Sequence, residues 1–126
     1  MSAAARAPLG RRAFGGVVVA ALVGVLAACA PQKKPSAVPS ATGVQAEVTV
    51  AVIDNKFEPA NVEVKRGQAV RWVFSGVMEH DVVAEDGSFV SELQTTGEYV
   101  HLFEKAGDYP YDCSVHPEMT GVVTVR

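Results

Sequence analysis

The chain has 126 residues, enough for one domain and a tail, with 48% hydrophobic residues and a formal net charge of −3. That total conceals an uneven spread: all 14 acidic residues lie from Glu47 onward, with only six of the 11 Lys and Arg, so this part carries −8. Nucleic acid and anionic lipid are poor partners for a surface of that sign, which suits a basic patch on another protein.

The first residues read as a leader. Arg6, Arg11 and Arg12 precede an uncharged run from Phe14 to Ala28 that is too short to span a bilayer comfortably. It ends in Leu26-Ala27-Ala28-Cys29, the pattern of a lipobox, in which the cysteine is acylated and becomes the mature N-terminus. Residues 1–28 are therefore expected to be a signal peptide, and Cys29 the lipidation site. Arg11-Arg12-Ala13-Phe14 also resembles a twin-arginine export signal. Residues 29–46, rich in Pro, Ser, Ala and Lys and without an apolar period, are expected to form a flexible, lipid-attached tether.

From Glu47 the pattern changes to period two. Val48, Val50 and Val52 alternate with Glu47, Thr49 and Ala51; Val62 and Val64 follow, then Val70, Trp72 and Phe74, and finally Val123 and Val125. Branched and aromatic residues at this period predict half-buried strands. Turn signals separate them at Asp54-Asn55, Glu58-Pro59, Arg66-Gly67, Ser75-Gly76, Asp86-Gly87, Thr96-Gly97 and Ala106-Gly107. No helical stripe is present. The expected fold of residues 47–126 is all-β, a Greek-key antiparallel β-sandwich of about eight strands.

The stretch Gly107-Asp108-Tyr109-Pro110-Tyr111-Asp112-Cys113 puts Tyr109, Tyr111 and Cys113 on one face of a strand. Pro110 has no N–H for a ladder and belongs at an edge or bulge. Cys113 then opens Cys113-Ser114-Val115-His116-Pro117-Glu118-Met119, where a thiolate, an imidazole and a thioether recur every third residue of one short loop. With a second imidazole from His80 this is the donor set of a mononuclear thiolate–copper site. Alternative readings fit less well. Zinc fingers need paired cysteines, and with Cys29 lipidated only one thiol remains. A catalytic Cys–His pair would need an oxyanion hole that nothing nearby supplies. His101, in Tyr99-Val100-His101-Leu102-Phe103, is assigned no ligand role, and Trp72 is expected in the core.

Taken together, residues 47–126 resemble the cupredoxins, in particular the amicyanin and plastocyanin-like group. The matching pieces are Phe57-Glu58-Pro59, Gly67, Val70-Arg71-Trp72, Met78-Glu79-His80, Gly107-x-Tyr109-x-Tyr111-x-Cys113 and Cys113-x-x-His116-x-x-Met119-x-Gly121. The resemblance implies one copper bound by His80, Cys113 and His116, with Met119 axial. It also implies that electrons leave through the edge of His116, flanked by Met78 and Pro117. Two positions depart from the pattern. Asp81 stands where the family usually has Asn, and Val115 where amicyanins have Pro. Asp81 can accept from the Ser114 amide or hydroxyl but cannot donate. Val115 keeps an N–H that can reach the Cys113 sulfur.

The function expected is a type 1 copper electron carrier, cycling Cu(II)/Cu(I) between exported redox partners. It would be a monomer of the cell envelope, held outside the cytoplasm by its N-terminal lipid and docking on a basic patch. The alternative is a copper-binding or delivery protein without an electron-transfer role. An enzyme is not expected: copper oxidases and nitrite reductases need further centres, and three histidines cannot build them. A binuclear copper centre would need a second cysteine in the loop.

Overall fold

The computed structural model describes residues 10, 15–16 and 33–126. The expected signal peptide and Cys29 lie outside the described residues. Eight strands follow in chain order: β1 (Ala46–Ile53), β2 (Lys56–Glu58), β3 (Asn61–Val64), β4 (Gln68–His80), β5 (Val83–Ala84), β6 (Gln94–Phe103), β7 (Gly107–Cys113) and β8 (His116–Val125). They form two four-stranded sheets, ordered β2-β1-β4-β6 and β3-β8-β7-β5. The result is the expected all-β sandwich.

Two pairings differ from a purely antiparallel plan: β1 runs parallel to β4, and β3 parallel to β8. The reason is connectivity. After the β1–β2 hairpin the chain crosses to the other sheet as β3, then returns as β4 beside β1. A returning crossover gives parallel neighbours, whereas a tight hairpin gives antiparallel ones. A second difference lies at Ser75-Gly76, read from sequence as a turn. β4 runs through it to His80, and the register with β6 shifts between Ser75 and His80. A glycine inside a strand often marks such a bulge.

The alternation seen in sequence decides what is buried. Val50, Val52, Val70, Trp72, Phe74, Val123 and Val125 all face the core. Trp72, fully buried, stacks on Phe89 at 5.3 Å and meets Tyr111 edge-on at 5.5 Å. Removing a ring of this kind costs about 3–5 kcal/mol, against a total of about 5–15 kcal/mol for a typical domain. Loss of Trp72 would therefore take away a large part of the stability of a typical domain. Gly121 matters for a different reason. Any side chain there would collide with the Ala60 carbonyl and the Tyr111 ring, so glycine lets the end of the Tyr111 ring come close to the β8 backbone.

The expected free tether is corrected by the structure over residues 34–41. Val38 N–H donates to Val90 O at 2.8 Å, and Ala41 N–H to Val100 O at 2.8 Å. The Ser40 hydroxyl accepts from Val100 N–H at 2.9 Å. Lys34 forms an ion pair with Asp81 at 2.7 Å and donates to Ser91 O at 2.8 Å. This segment is a strap on the sandwich. Its composition gave no apolar period because polar and backbone bonds, not side-chain burial, hold it down.

His101 sits on β6 with its ring against Phe89 at 5.2 Å and Phe103 at 4.8 Å. Burial holds its pKa below the ordinary 6.5, opposed by the charges of Asp86 and Glu104. The neutral ring is therefore the form the fold favours. Its contribution to stability is present above pH 6.5 and is lost as pH falls through the lower folded value. In the metal-free chain, His101→Phe is expected to flatten part of the loss of melting temperature as pH falls below 6.5; thermal unfolding at several pH values measures it.

Candidate metal centre

The site forms where the two sheets meet at one end. β4 closes with His80 in the first sheet. In the second, β7 ends on Cys113 and β8 begins at His116, with only Ser114 and Val115 between them. The ligand-bearing stretch is thus a tight hairpin with Cys113 opposite His116, not the loop expected from sequence. His116 and Met119 both belong to strand β8.

The donor atoms converge. Cys113 Sγ lies 3.8 Å from His80 Nδ1 and 3.8 Å from His116 Nδ1. All three donors lie within 4.8 Å of one another. Donors bound to one ion at about 2.0–2.3 Å stand about 3.7 Å apart across a trigonal angle, so these separations fit a shared ion. Among the described residues this is the group of His, Cys, Asp and Glu that could hold a metal. His80 and Cys113 are buried, and His116 is half-buried. Met119 is buried at 1% exposure, three residues beyond His116 in the core cluster that contains Cys113. One thiolate with two imidazoles is suited to a single copper ion, since soft sulfur favours Cu(I) and imidazole suits copper in general.

Asp54 completes the site and was not singled out in the sequence. Its Oδ1 lies 3.0 Å from His80 Nε2. A carboxylate only accepts, so Nε2 carries the hydrogen and Nδ1 keeps its lone pair for the metal. The same hydrogen bond holds the Asp54 carboxyl below its ordinary pKa. Asp54 reaches this position from the β1–β2 turn, where Asn55 takes a left-handed φ of 73°. Gly76 leaves the room, because a Cβ there would collide with Asp54 Oδ1. The signal available in the sequence was the turn Asp54-Asn55, but its proximity to His80 depends on the parallel β1–β4 pairing.

Asp81 does what its chemistry allows. It is fully buried, and accepts from Ser114 N–H at 2.7 Å and from the Ser114 hydroxyl at 2.5 Å. Residues next to His80 and next to Cys113 are thereby joined. Burial pushes the Cys113 thiol up, while the N–H groups of Asp81, Val115 and His116 favour its thiolate. His101 lies away from the cluster and is no ligand.

The comparisons with known proteins agree with this geometry. The family model of the cupredoxin-like domain matches residues 18–125. The chain is a cupredoxin. It is 35% identical over 94 residues to amicyanin from Paracoccus versutus, covering 69% of this chain and 71% of that protein. An oxidised amicyanin variant superposes on the cupredoxin with a TM-score of 0.60 at 27% identity, over 76% of this chain and 95% of that one. A copper-containing nitrite reductase from Thermus scotoductus also matches, at 32% identity and a TM-score of 0.55. That match covers 71% of this cupredoxin but only 25% of the enzyme chain.

Asp54→Ala should weaken metal binding by about 10–100-fold, the usual cost of removing the partner of a ligating histidine, while the fold is retained. Gly76→Ala is expected to reproduce part of that loss by displacing the Asp54 side chain. Competition against a chelator of known affinity measures both.

Proposed function

We propose that this cupredoxin is a mononuclear type 1 copper electron carrier, exchanging single electrons between exported redox partners. The observation that carries the reading is the convergence of His80 Nδ1, Cys113 Sγ and His116 Nδ1, with His80 held in the right tautomer by Asp54. Met119 would add a weak axial thioether. Copper, when bound, supplies the one-electron Cu(II)/Cu(I) couple. The chain supplies immobility: three ligands sit at strand ends braced by the core, so little rearrangement opposes the change of charge.

The surface around His116 supports electron exit there. Val77 is 86% exposed, Met78 50% and Val115 49%, and Pro117 is exposed too; Val77 and Met78 closely precede His80, and Val115 and Pro117 flank His116 in the chain. Val77 and Val115 add exposed apolar side chains to the Met78 and Pro117 expected from sequence. A patch of this kind lets a partner approach the half-buried His116 ring without stripping water from charges. The charge of −8 from Glu47 onward suits a partner with a basic docking face. The leader and lipobox support an extracytoplasmic, lipid-anchored location, with Cys29 as the attachment point.

A delivery role is the second reading. The buried thiolate disfavours it, since handing over a metal requires the acceptor's ligands to reach the ion. An enzymatic role has less support: the matching nitrite reductase chain is far longer, and the three histidines here leave only His101 beyond the site.

Adding Cu(II) to the purified chain should give an intense visible thiolate-to-copper band that ascorbate bleaches and an oxidant restores. Cys113→Ser should abolish it. Tight Cu(I) binding with no coloured oxidised form would instead establish the delivery reading. Replacing Met78 and Pro117 with Glu is expected to slow electron self-exchange at least tenfold with the visible spectrum intact; an unchanged rate, read by NMR line broadening, would move the exit elsewhere.

A further inference from the structure

The strap and the metal centre share one buried carboxylate. Asp81 Oδ1 accepts from Ser114 N–H, and Oδ2 is shared by the Ser114 hydroxyl and the Lys34 ammonium. Lys34 Nζ is itself fixed by a second acceptor, Ser91 O at 2.8 Å. Asp81 is fully buried and directly follows His80, while Ser114 directly follows Cys113. A buried carboxylate held by hydroxyl and amide donors alone keeps its full negative charge in a medium that screens poorly. Lys34, at 28% side-chain exposure, brings the opposite charge to within 2.7 Å from 47 positions earlier in the chain.

We propose that Lys34 is a positioning residue for the metal centre, acting through Asp81: the strap delivers a cation that locks the clasp between the two ligand-bearing strand ends and cancels the charge of that clasp. Two consequences follow, one mechanical and one electrostatic. Mechanically, Lys34 presses the Asp81 carboxylate onto Ser114, so the strap stiffens the link between the His80 and Cys113 positions. Electrostatically, the ion pair balances the Asp81 charge, so that this carboxylate adds no net charge beside the metal. Reduction adds one electron to the site. An unbalanced anion beside it opposes that addition, and an unbalanced cation assists it.

The electrostatic arm rests on the copper reading and makes opposite predictions for the two partners. In the copper-loaded full chain, Lys34→Gln strands the carboxylate and should lower the reduction potential. Asp81→Asn strands the ammonium and should raise it. The double variant should return towards wild type, and Lys34→Arg should stay close to it. A strap that served only as packing would shift both single variants in the same sense or neither. Shifts of the same sign, or a double variant that merely adds the two single effects of one sign, would overturn the proposal.

The mechanical arm needs no copper. In the metal-free chain, Lys34→Gln should lower the melting temperature, and adding Asp81→Asn should recover much of that loss, because Asn accepts from Ser114 N–H without a charge to balance. Hydrogen exchange at the Ser114 amide should quicken in Lys34→Gln and slow again in the double variant. Equal melting temperatures and equal exchange for Lys34→Gln and wild type would sink the latch. If copper gave no coloured site while the metal-free coupling stood, the copper reading would fail and the latch would survive as a structural clasp.

Discussion

The centre depends on two sheets holding still against each other. His80 belongs to the sheet β2-β1-β4-β6, and Cys113 and His116 to the sheet β3-β8-β7-β5. Donor atoms that must stay within 4.8 Å of one another are therefore placed by packing across the sandwich. Trp72, Phe89 and Tyr111 form the aromatic layer that sets the spacing. Tyr111 lies two residues before Cys113 on the same face of β7, so the packing that fixes the ring also aims the thiol. Close-packed interiors transmit displacement instead of absorbing it, so the donors are held as firmly as the sheets that carry them.

Two carboxylates beside the donors have separate tasks. Asp54 sets which nitrogen of His80 is free. Asp81 joins the residues that flank His80 and Cys113. The two come from different kinds of segment: one is in a hairpin turn, the other directly follows a ligand. Each performs a task that the donor residues cannot perform for themselves, orientation in one case and connection in the other.

What could be read from the chain alone follows the range of the interactions. The donors Cys113, His116 and Met119 were legible because a hairpin places them close in sequence, and His80 because few histidines compete for the role. The inward face of β7 and the buried positions of β1, β4 and β8 were legible from alternation. Asp54 was not, since it lies 26 residues from His80 and reaches it through a parallel pairing that alternation does not encode. Ser75-Gly76 carried a turn signature but accommodates a bulge, because the strand continues as far as the ligand. Lys34 was hidden by its setting: a Pro- and Ser-rich stretch has the composition of a free linker, and only the buried charge of Asp81 gives it a destination.

The strap has one more effect, at a distance from the metal. β6 is a ten-residue strand at the rim of its sheet, and an uncovered ribbon of that length is a template for pairing with another molecule. Residues 40 and 41 occupy its outer side at Val100, using both the N–H and the carbonyl there. The other rim strands have two to four residues and offer little to pair with. A cut between Lys34 and Ala41 would loosen that cover and bare the backbone groups of Val100 on the longest rim.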